Sequence, residues 1–487
     1  MIFNSIDFAL FLPIVFILYW LVNSRSLKLQ NLLIVVASYI FYGWWDWRFL
    51  SLIVISTLID FTIGLSLKNQ QNQFKRKILL WSSIIVNLGF LGFFKYYNFF
   101  IDNFISAFSF FGSGINPGML NIILPVGISF YTFQTLSYTI DVYRKEITPT
   151  NDLIGFSAFV CFFPQLVAGP IERASHLLPQ FKKVRVFNYS NAVDGLRQIL
   201  WGFFKKIVIA DNCAQYANEI FNNYNDYSGP TLVLGAVFFT FQIYGDFSGY
   251  SDIAIGTSRL FGINLKRNFA FPYFSRDIAE FWRRWHISLS TWFRDYLYIP
   301  LGGSRGNNYN KMKNIFIIFI VSGFWHGANW TFIFWGALNA LFFLPLMISN
   351  NNRNHIDIVA KGRYFPNFRE LYQMTFTFSL TVFAWIFFRS NSIYDAFRYI
   401  KSLTLGLFNK QNYIDCLNYF YWDIGHTLPL LLLFFILIEW IGREFEYGIE
   451  KIGLHWSKLY RYTFYYFIIV LTLFYGGEEE TFIYFQF

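Results

Sequence analysis

The chain has 487 residues, of which 55% are hydrophobic, 23% aromatic and only 14% charged. Its mean hydropathy of +0.37 excludes an ordinary water-soluble domain. The formal net charge of +10, carried by loops, points to anionic lipid or an acidic cytoplasmic partner, while the lack of a basic, aromatic-interleaved soluble module argues against nucleic acid.

Apolar runs of roughly 17–22 residues are long enough for a helix to cross about 30 Å of hydrocarbon. They predict helices near 6–22, 30–43, 49–66, 78–94, 121–140, 152–168, 192–210, 229–245, 313–324, 330–348, 373–389, 428–441 and 462–476. The expected fold is an all-α polytopic membrane protein with about 11–13 transmembrane or re-entrant helices. No basic segment precedes Ile6 and no small-residue cleavage pattern follows the first run, so it is expected to remain as the first span.

RSLK at 25–28 and KNQQNQFKRK at 68–77 place the loops after spans one and three in the cytoplasm, with the N-terminus outside. YRK at 143–145 fits the same side, provided 99–112 does not complete a crossing. Cys161, Cys213 and Cys416 are scattered without CxxC spacing, and suggest neither a disulfide framework nor a metal site. The chain reads as one transmembrane domain, 1–487. Its unusual segments occur once each within about 125–345, which favours a catalytic core over the repeated halves of a transporter.

In QIYGDFSGYSDIAIG, 242–256, Asp246 and Asp252 stand in otherwise uncharged sequence. Six residues apart, they would not share a face of an unbroken helix. Ser248 and Gly249 are a plausible break, after which Asp252 would cap a helix; the alternative is that both line a donor or acceptor channel.

In SRDIAEFWRRWHISLSTWFRDYLYIPLGGSRG, 275–306, Phe281, Trp282, Trp285, Leu289, Trp292 and Phe293 recur at helical spacing. Arg283, Arg284, His286 and Arg294 interrupt them. The pattern predicts an amphipathic helix at the cytoplasmic interface, or a re-entrant one, ended by a turn at Pro300, Gly302 and Gly303. The arginines face lipid phosphates or dock a phosphate-bearing donor.

Between 314 and 352 the only ionisable side chain is His326. One continuous helix there would measure about 58 Å, nearly twice the hydrocarbon thickness, so the run must bend. Gly323 and Gly327 mark the bend and permit close backbone approach. His326 and Asn329 would share a face if the stretch were helical, with Trp325 and Trp330 beside it. His326 either hydrogen-bonds a neighbouring helix or marks a functional site, as intramembrane ionisable residues do by default. Two histidines forty residues apart, without Cys or HxxxH spacing, do not argue for metal.

RDIAEFWRRWHISLSTWFRDYLYIPLGGSR followed by SGFWHGANWTFIFWGALNAL resembles the membrane-bound O-acyltransferase (MBOAT) family, in its bacterial branch of alginate O-acetylation and teichoic acid D-alanyl transfer proteins. MIFNSIDFALFLPIVFILYW at the start, LPVGISFYTFQTLSYTIDVYR at 124–144, FFPQLVAGPI at 162–171, GDFSGYSDIAIG and the terminal FIYFQF extend the resemblance end to end.

The resemblance implies a ring of helices around a thin core with a tunnel joining the two sides. It also implies that His326 is catalytic and matches His286 to the family's earlier histidine. No bound cofactor is implied; the co-substrate would be an acyl-CoA or an acyl carrier thioester. A hydroxyl is a weak nucleophile until a base removes its proton, and a buried neutral imidazole suits that task. His326 is therefore the expected general base. His286 is expected to orient the donor or stabilise the thioester oxyanion, and Asn329 to hold the imidazole tautomer or donate to that oxyanion.

Arg283, Arg284 and Arg294 would hold the donor phosphate or a carrier protein. Expected partners are membrane lipid, an acyl carrier protein and a periplasmic or extracellular SGNH-type transferase, with a polysaccharide such as alginate as final acceptor, at the bacterial inner membrane. The rivals are D-alanyl transfer to teichoic acid, peptidoglycan O-acetylation and, in another class, a non-catalytic transporter or polysaccharide-export channel.

Overall fold

The computed structural model describes residues 1–22, 26–110, 120–167, 169–478 and 480–483. Arg25 of the first basic loop, 111–112 of the 99–112 segment, Ala168 of FFPQLVAGPI and the last four residues of FIYFQF lie outside the described residues. All regular secondary structure among the described residues is helical, with no strand among them. They form two compact units: 1–193 with 257–266, and 194–256 with 267–487.

Helices occupy parts of all thirteen expected positions, but fewer of them are long enough to cross a bilayer alone. Among the described residues five helices are long and apolar enough: Leu27–Asn69, Gln73–Phe110, Gly229–Leu260, Trp330–Ile348 and Phe368–Arg389. A sixth arises if Lys410–Ile424 and Thr427–Gly442, bent by 89°, count as one span. Two physical reasons reduce the number. Spans expected at 30–43 and 49–66 merge into a single 43-residue run, with a 3₁₀ turn at Trp47–Phe49 between them. Other expected spans are short or broken, as at 152–168, where Leu153–Cys161 and Phe163–Leu166 are separate helices.

In the first unit, polar side chains inside apolar helices satisfy one another. The fully buried Asp60 accepts from Ser83, from Asn87 at 2.8 Å and from Thr139 at 2.9 Å. Arg185 reaches Gln30 at 2.9 Å and Asn31 at 2.6 Å. Such pairing is what a low-dielectric interior requires, because each unmet polar group costs roughly 1–3 kcal/mol.

The second unit carries the sequence segments singled out for chemistry. Gly229–Leu260 is one unbroken helix, which overturns the break expected at Ser248–Gly249 and with it the capping role of Asp252. Close packing explains the glycines there: a Cβ on Gly249 would lie 2.8 Å from Gly202 O. The segment 275–306 is not a single helix. It forms Ile278–Arg284 and Ile287–Phe293, broken at Trp285–His286, where the φ of His286, 45°, is left-handed. Phe281, Trp285, Leu289, Trp292 and Phe293 are buried and Trp282 partly so, and Gly302 and Gly303 end the element with positive φ.

The bend expected near His326 is present. Asn308–His326 stops at Gly327 and Trp330–Ile348 begins at the Asn329 cap. The two helices pack with glycine against backbone: a Cβ on Gly323 would sit 2.2 Å from Phe332 O, and one on Gly336 2.2 Å from Phe319 O. Any larger side chain would push the hairpin apart.

Candidate active site

His326 is the last residue of its helix and is 3% exposed. Aromatic rings enclose the imidazole: Trp325 at 5.0 Å, Trp335 at 5.2 Å and Phe388 at 5.4 Å between centroids. Gly327 follows in extended backbone, and a Cβ there would fall 2.2 Å from the Phe332 ring. Beside it, a crevice of about 450 Å³ is lined by Gly327, Asn329, Phe332, Phe388, Arg389 and Asn391, among others. The crevice thus reaches Phe388, the ring that packs on His326.

His286 is 1% exposed and lies in the same aromatic cluster. Its ring meets Phe247 at 4.7 Å and Trp325 at 6.0 Å. Trp325 therefore contacts both histidines. The left-handed backbone at His286 costs about 1–2 kcal/mol and is held by one residue that the sequence reading missed. Asn268 O accepts from Ile287 N at 2.9 Å, and Asn268 Oδ1 accepts from Ser288 Oγ at 2.8 Å.

The same Oδ1 lies 3.1 Å from His286 Nδ1. An amide oxygen only accepts, so Nδ1 carries the proton and Nε2 is the basic nitrogen. Burial pushes this imidazole down to about 3, which keeps it neutral. In that state Nε2 accepts rather than donates.

Asn329 is separated from His326 by the helix break, so the two do not share a helical face. Its Oδ1 accepts from Thr331 N at 3.0 Å and its Nδ2 donates to Asn391 O at 2.9 Å. Trp325 is buried, whereas Trp330 is 52% exposed.

Asp246 and Asp252 are both buried in the Gly229–Leu260 helix and both meet lysines. Asp246 lies 2.8 Å from Lys206, and Asp252 lies 2.6 Å from Lys205. Asp252 also borders a small polar cavity with Lys205, Asn268 and Glu439.

The three arginines differ. Arg283 donates to the carbonyls of Asn352 and His355, each at 2.7 Å. Arg284 pairs with Glu280 at 2.7 Å. Arg294 is 59% exposed beside Asp295.

Glu439, like Asn268, escaped the sequence reading. It accepts from Tyr244 OH at 2.6 Å and Trp201 Nε1 at 2.9 Å. The available signal was one carboxylate in the apolar run 428–441, just as Lys205 and Lys206 stand out in 192–210. Tyr244 and Glu439 also wall an apolar cavity of about 250 Å³. Among the described residues no three His, Cys, Asp or Glu side chains cluster as a metal would need.

Comparison with known proteins places the chain in a family. The model of MBOAT, the membrane-bound O-acyltransferase family, matches residues 145–388, which include both histidines. A probable alginate O-acetylase AlgI of Pseudomonas putida is 42% identical over 403 residues, 82% of this chain and 79% of its own. A peptidoglycan O-acetyltransferase of Helicobacter pylori is 34% identical over 421 residues, 81% of this chain and 77% of its own. A teichoic acid D-alanyltransferase of Streptococcus thermophilus is 31% identical over 240 residues, 46% of this chain and 57% of its own. Joined to the all-helical, apolar fold and the paired histidines, these matches identify the chain as a member of the membrane-bound O-acyltransferase family, a multi-pass membrane O-acyltransferase.

Proposed function

We propose that the protein moves an acetyl group from a cytoplasmic thioester, acetyl-CoA or an acyl carrier, across the bacterial inner membrane for O-acetylation of an extracellular polysaccharide such as alginate. One observation carries the choice of acetyl over D-alanyl. The O-acetylating relatives match over 82% and 81% of this chain, and the D-alanylating one over 46%. Acetylation of peptidoglycan is the nearest rival, and the identity of the polymer carrying the ester distinguishes it.

His326 is the proposed general base. The acceptor hydroxyl loses its proton to the imidazole as its oxygen attacks the acyl carbonyl; the C–O bond forms, the C–S bond breaks, and the proton passes to the departing thiolate. Enclosure by Trp325, Trp335 and Phe388 supports this, since aromatic walls exclude water that would hydrolyse the thioester. His286, fixed by Asn268, orients the donor. Arg294 meets the donor phosphate or an acidic carrier, while Arg283 and Arg284 hold the loop around 352–357. Asn329 lines the crevice beside His326, where the acceptor would enter, with Trp330, Asp246 and Asp252 as further candidates for the lining of the path. An SGNH-type partner outside the membrane would complete transfer to the polymer.

The test is to express wild type and His326→Ala in the native host with the neighbouring genes, at matched membrane levels, and to quantify ester-linked acetyl on the purified surface polysaccharide. Loss of ester at unchanged polymer yield is expected. Retention of ester would remove His326 from the chemistry and favour a transport role.

A further inference from the structure

The segment after the last helix, Lys458–Phe474, folds back into the second unit. Asn212 Nδ2 donates to Tyr475 O at 2.8 Å, and Gly477 N donates to Ile207 O at 3.2 Å. Contact is tight enough that a Cβ on Gly477 would lie 2.8 Å from Asn212 N. Farther along, Lys206 Nζ donates to Glu480 O at 3.0 Å, and Ile483 N donates to Asp246 Oδ2 at 2.7 Å. The two bonds grip the backbone on either side of Phe482.

The grip is built from buried charge. Lys206 lies 2.7 Å from Asp211 and 2.8 Å from Asp246, and all three are at most 3% exposed. Packed apolar side chains of similar volume would hold a segment at least as strongly, because desolvating a lysine and two carboxylates offsets their attraction. What the ionic cluster adds is position: it fixes which backbone groups sit where.

Phe482, 1% exposed, is delivered onto Tyr250 at 4.2 Å and Phe247 at 6.0 Å. Phe247 in turn sets its ring edge against the His286 imidazole at 4.7 Å. We infer that residues 480–483 close one side of the aromatic cluster around His286, with the Asp211–Lys206–Asp246 cluster docking them so that Phe482, through Phe247, sets the pose of His286. Phe482 is a positioning residue. The inference rests on the assignment of His286 to the acyl-transfer site.

The experiment compares wild type, Phe482→Ala, Phe482→Tyr and His286→Gln in the native host. Two quantities are measured: polysaccharide ester-acetyl at matched membrane levels, and modification of His286 by diethylpyrocarbonate in purified protein, followed by mass spectrometry. Phe482→Ala is expected to lose at least tenfold in ester and to raise His286 modification several-fold, at a melting temperature lowered by the cavity it leaves. Phe482→Tyr restores both.

Wild-type ester and an unlabelled His286 in Phe482→Ala would overturn the inference. If that variant fails to accumulate, Phe482→Leu replaces it with the same two readouts, an expected threefold loss of ester, and the same overturning result. His286→Gln separates the two levels. Ester retained in that variant removes His286 from the reaction and the inference with it. Ester lost there but kept in Phe482→Ala overturns the inference and leaves the role of His286 standing.

Discussion

His286 and His326, forty residues apart in sequence, both pack against the indole of Trp325, at centroid distances of 6.0 and 5.0 Å. Trp325 is 4% exposed and immediately precedes His326. One indole therefore meets both imidazoles, and its bulk is expected to set their spacing. Trp325→Phe, which keeps an aromatic wall, is expected to retain at least a third of wild-type ester transfer. Trp325→Ala opens a cavity beside both rings and is expected to cost about 3–5 kcal/mol of stability. Melting temperature together with polysaccharide ester content checks the pair; equal behaviour of the two variants would refute the spacing role.

Asn268 holds His286 by its side chain and the next residue by its carbonyl. Asn268→Leu removes the acceptor that fixes Nδ1–H and strands the Ser288 hydroxyl, a loss of roughly 1–3 kcal/mol. If orientation of His286 feeds into the reaction, ester transfer drops about tenfold or more. Asn268→Asp keeps an acceptor in place and is expected to fall between Leu and wild type. The test is ester content normalised to membrane abundance.

Burial holds the His286 imidazole near 3, against about 6.5 in an unfolded chain. Below pH 6.5 the unfolded chain binds a proton that the folded one refuses, so stability falls as pH falls, by about 1.4 kcal/mol per unit. Melting temperatures measured in detergent from pH 7 to pH 5 are expected to decline, and His286→Gln to flatten that decline. An unchanged slope in the variant would count against a buried neutral His286.

Gly336→Ala places a methyl carbon 2.2 Å from Phe319 O, where only backbone stands in its way. The hairpin carrying His326 must open to admit it, at an expected cost of about 1–3 kcal/mol. Gly89, which has nothing within 4 Å of its Cβ position, is the control. Gly89→Ala should express and melt like wild type, whereas Gly336→Ala should lose folded protein on size exclusion.

Glu439 satisfies two buried donors, Tyr244 OH and Trp201 Nε1. Glu439→Leu leaves both without an acceptor and is expected to destabilise by about 2 kcal/mol or more. Glu439→Gln keeps an acceptor oxygen and should cost less. Thermal unfolding of the two variants side by side decides this, and an equal loss in both would assign the effect to charge rather than to hydrogen bonding.

The sequence by itself determined the membrane class, the thirteen apolar runs that carry helix, the bend near Gly323–Gly327 and the singling out of His326 as the one ionisable side chain of its stretch. These follow from local composition: apolar run length fixes helices in lipid, glycine spacing fixes close approach, and one ionisable residue in a 39-residue apolar stretch is expensive enough to need a reason. Only the tertiary structure decided the rest. Asp246 and Asp252 proved to be ion-paired along an unbroken helix, because their partners Lys206 and Lys205 lie some forty to fifty residues away. Asn268 and Glu439 acquire meaning only from the groups they face. The meeting of His286 and His326 at Trp325 depends on a left-handed turn at His286, a backbone choice that Asn268 enforces from eighteen residues away and that no helical periodicity could foretell.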